Sequence, residues 1–171
     1  MKTVTLAFTA TFTLLATGIA KACQLALILM IDVSSSIDIG EYRFQVDGMA
    51  DALMDPAIAE ILVRDQVALS VVQWSGIGEA EMSLPWQRML SAEAVVNFAN
   101  RARAIDRRWE RSRTAVGDAI AFGATQFGPV SDCRRRVMDV SGDGASNVGF
   151  DTATMRREIQ QMGIEINGLA I

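Results

Sequence analysis

The most constraining feature of this chain is an unbroken apolar run, Leu25 to Ile31, which ends at Asp32. A run without polar alternation is typical of a strand that is buried on both faces, as in the middle of a parallel sheet. Four further segments have strand character, and helical patterns separate most of them. The predicted strands are 66–74, 81–86, 136–140 and 164–171, and the predicted helices are 39–54, 57–62, 92–104, 116–127 and 152–162. This alternation predicts an α/β fold, a doubly wound and mostly parallel sheet flanked by helices.

We expect the C-terminal end of the fold to be incomplete. The chain stops within the apolar strand 164–171, whereas doubly wound domains usually cover such a strand with a further helix. No internal repeat or low-complexity segment divides the chain. We therefore expect one domain over residues 23–171, truncated after its fifth strand.

Residues 1–22 have the pattern of a secretory signal peptide. Lys2 precedes an apolar stretch, 4–19, and Ala20-Lys21-Ala22 supplies the small residues that signal peptidase requires. The stretch is shorter than the roughly 20 residues that span a bilayer, which favours a cleaved signal over an uncleaved anchor. A lipoprotein modified at Cys23 is disfavoured because Lys21 interrupts the expected lipobox. We expect a periplasmic or secreted protein without stable membrane insertion after cleavage.

Composition excludes several kinds of site. The 171 residues contain no histidine and only two cysteines. A Ser-His-Asp triad, a Cys-His pair and a histidine-ligated metal are therefore impossible within the chain, and so are four-thiolate zinc or iron–sulfur sites. The net charge of −4 argues against a nucleic-acid partner, because such partners require a basic surface.

Oxygen-bearing side chains stand where ligands bind in an open parallel sheet, beyond the carboxyl ends of the strands. Asp32, Ser34 and Ser36 follow the first strand at a spacing of two, which turns alternate side chains to one point. Thr114 stands where a helix N-cap is expected, and Asp143 follows the fourth strand. Hard oxygen donors without Cys or His select Mg²⁺, Mn²⁺ or Ca²⁺.

This set resembles the metal-ion-dependent adhesion site of von Willebrand factor type A domains. That family has Asp-x-Ser-x-Ser after the first strand, a Thr before a later helix, and an Asp-Gly after the fourth strand. All five positions have counterparts in the same order, namely Asp32, Ser34, Ser36, Thr114 and Asp143. The segments 32–37, 114–120 and 140–147 look most like an exported bacterial subfamily of unknown function. One departure concerns the register of Asp143, because this chain reads Ser-Gly-Asp-Gly where the family has Thr/Ser-Asp-Gly.

The resemblance implies a binding module and not an enzyme. It implies one divalent cation, Mg²⁺ or else Mn²⁺ or Ca²⁺, whose open position accepts an Asp or Glu carboxylate from a protein partner. Two alternatives stay open. A phosphohydrolase would use Asp32 as a nucleophile beside Mg²⁺, although Ser34 stands where its second acid is expected. The other alternative is a fold of this type without a working metal site.

The resemblance also bears on the two cysteines, since it implies that the first and fourth strands are parallel neighbours. Cys23 lies 9 residues before Asp32, and Cys133 lies 10 residues before Asp143. Both would then lie level with each other at the opposite end of the sheet. An oxidising compartment favours a Cys23–Cys133 disulfide, and two buried free thiols are the alternative.

Six arginines in residues 101–113 directly precede Thr114. They predict either a basic rim that steers an acidic partner toward the metal or an ordinary solvated surface. The remaining polar residues near the motifs are interpreted as turn, cap or surface groups: Asp38, Asp118, Asp139 and Asn147. Trp74 and Trp86 are interpreted as core or sheet-edge residues.

Overall fold

The computed structural model describes residues 22–171, so residues 1–21 of the predicted signal peptide lie outside the described residues. The elements follow in this order: β1 (Leu25–Asp32), α1 (Ile39–Met54), α2 (Pro56–Arg64), β2 (Ala68–Trp74), β3 (Ala80–Arg88), α3 (Ala92–Arg103), α4 (Val116–Thr125), β4 (Arg135–Gly142), α5 (Thr152–Gln161) and β5 (Glu165–Ala170). Each predicted strand and helix is present. The helix predicted over 116–127 ends early, at Thr125, and a 3-10 turn over Gly128–Val130 follows it. Pro129 in that turn cannot donate to a continuing helix.

The five strands form one sheet in the order β3-β2-β1-β4-β5. β1 is parallel to both of its neighbours, β4 is parallel to β5, and β3 is antiparallel to β2. The carboxyl ends of β1, β2 and β4 therefore meet at one edge of the sheet. β1 lies between β2 and β4, because the chain places β2 and β3 on one side of β1 and then β4 and β5 on the other. Ligands bind at such a switch point in doubly wound folds.

Helices cover both faces of the sheet. One core cluster joins β1 and β2 to α1, α2 and α3, and the second joins the opposite faces of the strands to α4 and α5. Along β1, Ala26, Ile28 and Met30 are fully buried, whereas Leu25, Leu27 and Leu29 are half-buried. β1 is therefore fully buried on the face that packs against α4 and α5, whereas Leu25, Leu27 and Leu29 leave the opposite face half-buried. None of the described helices is long and apolar enough to cross a membrane.

The amino ends of β1 and β4 are joined covalently. The Cys23–Cys133 disulfide is present, as predicted, with a Cα–Cα distance of 4.5 Å. Backbone pairing continues up to it, since Arg134 N donates to Cys23 O at 3.0 Å. Leu25 and Arg135 are partners in the parallel register. The disulfide therefore lies at the end of the strand pair opposite the predicted metal ligands.

Candidate metal centre

The loop after β1 turns its donor side chains inward. Asp32 and Ser34 are fully buried, and Ser34 N donates to Asp32 Oδ1 at 2.8 Å. Ser36 lies at the exposed side of the loop, and its Oγ is 3.2 Å from Ser34 Oγ. Asp38 then begins α1 as its N-cap, in a reciprocal capping box with Glu41. The interpretation of Asp38 as a capping residue agrees with this contact.

Two other loops bring the remaining donors to the same place. Ser36 Oγ donates to Asp143 Oδ1 at 2.7 Å, a contact between residues 107 apart in the chain. Thr114 Oγ1 donates to Ser34 Oγ at 3.3 Å. The structure therefore brings all five predicted ligands together in one cluster at the carboxyl edge of the sheet. Asp32, Ser34 and Thr114 form its buried floor, and Ser36 and Asp143 form its exposed rim.

Electrostatics at this cluster are unbalanced. Asp32 Oδ2 is buried without a hydrogen-bond partner among the described residues. Burial raises the pKa of the Asp32 carboxyl above its usual value, the hydrogen bonds from Ser34 oppose that rise, and the nearby charge of Asp143 adds to it. An unpaired buried oxygen beside a second carboxylate is costly unless a cation compensates. The donor set therefore fits a hard divalent cation.

The number of acidic ligands also narrows the choice of cation. Within residues 22–171, no group of three or more His, Cys, Asp or Glu side chains comes together at a possible metal site. The cluster instead combines two carboxylates with three hydroxyls. Mg²⁺ commonly binds through one or two carboxylates and keeps several waters, whereas Ca²⁺ takes more oxygen ligands.

Thr114 does not cap α4. The N-cap is Ala115, without a side-chain hydrogen bond, and Thr114 precedes it by one residue. Its hydroxyl is thereby left for Ser34, while Thr114 N donates to Asn147 Oδ1 at 3.1 Å and Asn147 N donates to Thr114 O at 2.9 Å. Asn147 thus positions a predicted ligand, a role that goes beyond fixing its own loop.

Gly142 explains why the chain reads Ser-Gly-Asp-Gly. A Cβ at Gly142 would lie 3.0 Å from Asp32 Oδ2 and 3.4 Å from Trp74 Cζ2. A side chain at this position would press against the free oxygen of Asp32. β4 runs to Gly142, so Asp143 is the first residue beyond the strand and reaches Ser36.

A buried glutamine on α1 connects the ends of β1 and β4. Gln45 is 9% exposed, and its Nε2 donates to Asp32 O at 3.0 Å. Ser141 Oγ donates to Gln45 Oε1 at 2.6 Å. Sequence reasoning missed both residues, although a glutamine within the apolar stripe of α1, between Tyr42 and Val46, is a usable signal.

The arginine-rich segment separates into different roles. Arg107 Nη2 donates to the carbonyls of Val33, Ser34 and Ile37 at 3.2, 2.9 and 2.7 Å, and thereby holds the loop after β1. Three others donate hydrogen bonds to polar side chains at the surface: Arg101 to Gln87, Arg103 to Asp47 and Asp51, and Arg108 to Glu81. Arg111 and Arg113 are exposed, with no side-chain partner among the described residues.

Comparisons with known proteins agree with this fold. The collagen alpha-1(VI) chain of Gallus gallus is 29% identical over an alignment of 154 residues, which covers 84% of this chain and 14% of that one. Proximal thread matrix protein 1 of the mussel byssus superposes with a TM-score of 0.67 at 20% identity, over 88% of this chain and 39% of that one. A second structure of the mussel protein has a zinc-occupied metal-ion-dependent adhesion motif.

A bacterial structure is also similar. An aerotolerance-related membrane protein of Bacteroides fragilis NCTC 9343 superposes with a TM-score of 0.61 at 19% identity, over 86% of this chain and 67% of that one. The chain therefore corresponds to 14% of the collagen chain and 39% of the mussel protein. Residues 22–171 match the family described as "Protein of unknown function (DUF1194)". The chain belongs to that family, and its fold is that of von Willebrand factor type A domains.

Proposed function

We propose that this domain is an exported protein-binding module that coordinates one divalent cation, in the first place Mg²⁺, through Asp32, Ser34, Ser36, Thr114 and Asp143. The observation that carries this proposal is the buried and unpaired Oδ2 of Asp32, in a residue whose cluster is completed by oxygen-bearing side chains from two further loops. When bound, the cation supplies positive charge to the two carboxylates and an open position for an acidic residue of a protein partner. Residues 1–22 act as the export signal in this proposal.

Exposure determines the side from which a partner reaches the site. Ser36 and Asp143 are exposed, whereas Asp32, Ser34 and Thr114 are buried beneath them. A carboxylate on a protein surface can therefore approach at the Ser36–Asp143 rim. The full burial of Asp32 also disfavours its use as a nucleophile toward a phosphoester, because the attacking oxygen must reach the phosphorus.

The relatives support this proposal at the level of the fold. The mussel protein with a zinc-occupied adhesion motif shows that a domain of this architecture can hold a divalent metal. One of these relatives is a thread matrix protein of the mussel byssus and the other is a collagen chain, which is consistent with a protein partner outside the cytoplasm.

Calorimetric titration with Mg²⁺, Mn²⁺ and Ca²⁺ tests the cation site. We expect saturable binding by the wild-type chain, a loss of at least about 100-fold in affinity for Asp32→Asn, and a smaller loss for Ser36→Ala, because removing a charged ligand costs more than removing a neutral one. Ser35→Ala is the matched control, since Ser35 is an exposed neighbour outside the ligand set. Absence of cation binding at millimolar concentrations would contradict the proposal.

The metal-free stability of Asp32→Asn distinguishes a ligand from a structural residue. Because the Asp32 carboxylate is desolvated and one oxygen is unpaired, the asparagine variant should gain roughly 1 kcal/mol of unfolding free energy in EDTA. Urea denaturation measures this. A large destabilisation would instead mean that Asp32 serves the fold.

Capture of an acidic residue is tested with two short peptides that differ only by Glu against Gln. In the presence of Mg²⁺ the glutamate peptide should bind measurably more tightly, and EDTA should abolish the difference. Equal binding of both peptides would contradict carboxylate capture while leaving the cation site intact.

A further inference from the structure

The loop after β1 offers two sets of oxygen atoms. Its side-chain oxygens belong to the candidate cation site, whereas three of its backbone carbonyls converge on one nitrogen of Arg107. Val33 O, Ser34 O and Ile37 O accept hydrogen bonds from Arg107 Nη2 at 3.2, 2.9 and 2.7 Å. These bonds are charge-assisted and therefore stronger than bonds between neutral groups. One guanidinium thus fixes the backbone at the start, middle and end of this loop.

The backbone on both sides of Arg107 is itself held by a buried glutamine of β2. Gln73 is 1% exposed, and its Nε2 donates to Asp106 O at 3.0 Å. Arg108 N donates to Gln73 Oε1 at 3.0 Å. Arg107 is therefore anchored to a central strand of the sheet, which is the kind of rigid support that a binding site needs.

The needs of the fold alone do not explain an arginine at this position. Arg107 Nε is buried and has no hydrogen-bond partner among the described residues, and an unpaired buried donor costs free energy. The Arg107 guanidinium lies 6.0 Å from the ring centroid of Tyr42, at the outer limit of a cation–π contact. The three carbonyls are the main contacts of this side chain, and all of them belong to the loop that carries the candidate ligands.

We propose that Arg107 is a positioning residue of the cation site, which holds the loop in the arrangement that a cation requires before any cation is bound. This inference rests on the proposed function. The guanidinium fixes the backbone from which Asp32, Ser34 and Ser36 project. Its positive charge acts in the opposite sense, because it repels a divalent cation. Positioning outweighs this repulsion, since groups that orient metal ligands commonly contribute about tenfold or more to metal affinity.

Two substitutions separate positioning from charge. Arg107→Gln removes the charge and Arg107→Lys keeps it, but neither side chain has the planar guanidinium that reaches three carbonyls. We expect calorimetric titration with Mg²⁺ to show a loss of about tenfold in affinity for both variants. An effect of charge alone would raise the affinity of Arg107→Gln and leave that of Arg107→Lys unchanged, and this result would overturn the proposal.

Arg108→Gln is the matched control for these titrations. It removes the same charge from the adjacent arginine, which bonds to Glu81 at the surface and not to the loop. We expect its Mg²⁺ affinity to equal that of the wild-type chain. A loss equal to that of Arg107→Gln would overturn the proposal, because it would show a general effect of this segment.

Amide hydrogen exchange in EDTA tests the positioning without a cation. Ser35 N donates to Ser112 O at 2.9 Å and Ile37 N donates to Ser34 O at 3.1 Å, so both amides report on the order of the loop. We expect Arg107→Lys to speed their exchange at least about tenfold and to leave the amides of β1 and β2 unchanged. Unchanged exchange in the loop, or equally faster exchange throughout the sheet, would overturn the proposal.

The titrations also distinguish this inference from the proposed function. Absence of cation binding by the wild-type chain would overturn both. Mg²⁺ binding of equal affinity by the wild-type chain and by the folded Arg107 variants would overturn the positioning role of Arg107 and leave the cation site intact.

Discussion

The strand pair β1–β4 is closed differently at its two ends. At the amino end, the Cys23–Cys133 disulfide and continuous backbone pairing join the strands. At the carboxyl end, the side chains of Asp32 and Asp143 are linked only by hydrogen bonds, through the backbone N–H of Ser34 and the hydroxyls of Ser34 and Ser36, and one Asp32 oxygen is left unpaired. The covalent cross-link therefore lies far from the site, so the carboxyl end can hold uncompensated negative charge that a bound cation neutralises.

The largest expected effect is on the free energy of unfolding and comes from removing the Cys23–Cys133 disulfide. The disulfide closes a loop with a sequence separation of 110, so Cys23→Ala/Cys133→Ala should lose about 4–5 kcal/mol of unfolding free energy on the chain-entropy account. Cation affinity of the folded variant should stay unchanged, because the cysteines lie at the opposite end of the sheet. Urea denaturation and calorimetric titration measure the two quantities separately. A changed cation affinity in the fully folded variant would show that the two ends are coupled.

A smaller effect is expected at the carboxyl end of the strand pair, from removing the hydrogen bond between Asn147 and Thr114. Asn147→Ala removes the acceptor of Thr114 N, so the Thr114 hydroxyl should be less well positioned. We expect cation affinity to fall roughly fivefold to tenfold and unfolding free energy to fall by about 1 kcal/mol. Calorimetric titration and urea denaturation measure them. Asn167→Ala is the control, since Asn167 bonds to Asp139 at 2.7 Å on β4 and β5 and should leave cation affinity unchanged. Equal cation affinities in the two variants would contradict a positioning role of Asn147.

Much of the carboxyl end could be predicted from the sequence because its signals are local. Asp32, Ser34 and Ser36 are spaced two residues apart, and the apolar run 25–31 directly before them predicts the strand that they follow. Thr114 and Asp143 follow from their order relative to the predicted elements. The N-cap interpretation of Thr114 was wrong: α4 begins at Val116, as predicted, so its N-cap is Ala115 and Thr114 lies one residue before the cap.

Contacts between distant segments could not be predicted in this way. Arg107 belongs to a charged run that reads as solvated, yet it bonds to three carbonyls of the loop after β1. Trp74 and Trp86 look alike in the sequence, and only packing shows that one indole N–H is satisfied and the other is not. Such differences arise from tertiary neighbours that a sequence pattern does not specify.

The smallest expected effect concerns the charge at the two ends. Arg111 and Arg113 precede Thr114 at the carboxyl end, whereas Arg134 and Arg135 directly follow Cys133 of the disulfide. Because like and opposite charges near a site change association rates more than affinities, Arg111→Gln/Arg113→Gln should slow binding of an acidic peptide in Mg²⁺ by about twofold to fivefold at low ionic strength. Arg134→Gln/Arg135→Gln removes the same charge far from the site and should leave the rate unchanged. Stopped-flow measurements at low and high salt compare the association rates of the two variants. Equal slowing in both would show that net charge, and not a basic rim beside the site, determines the rate.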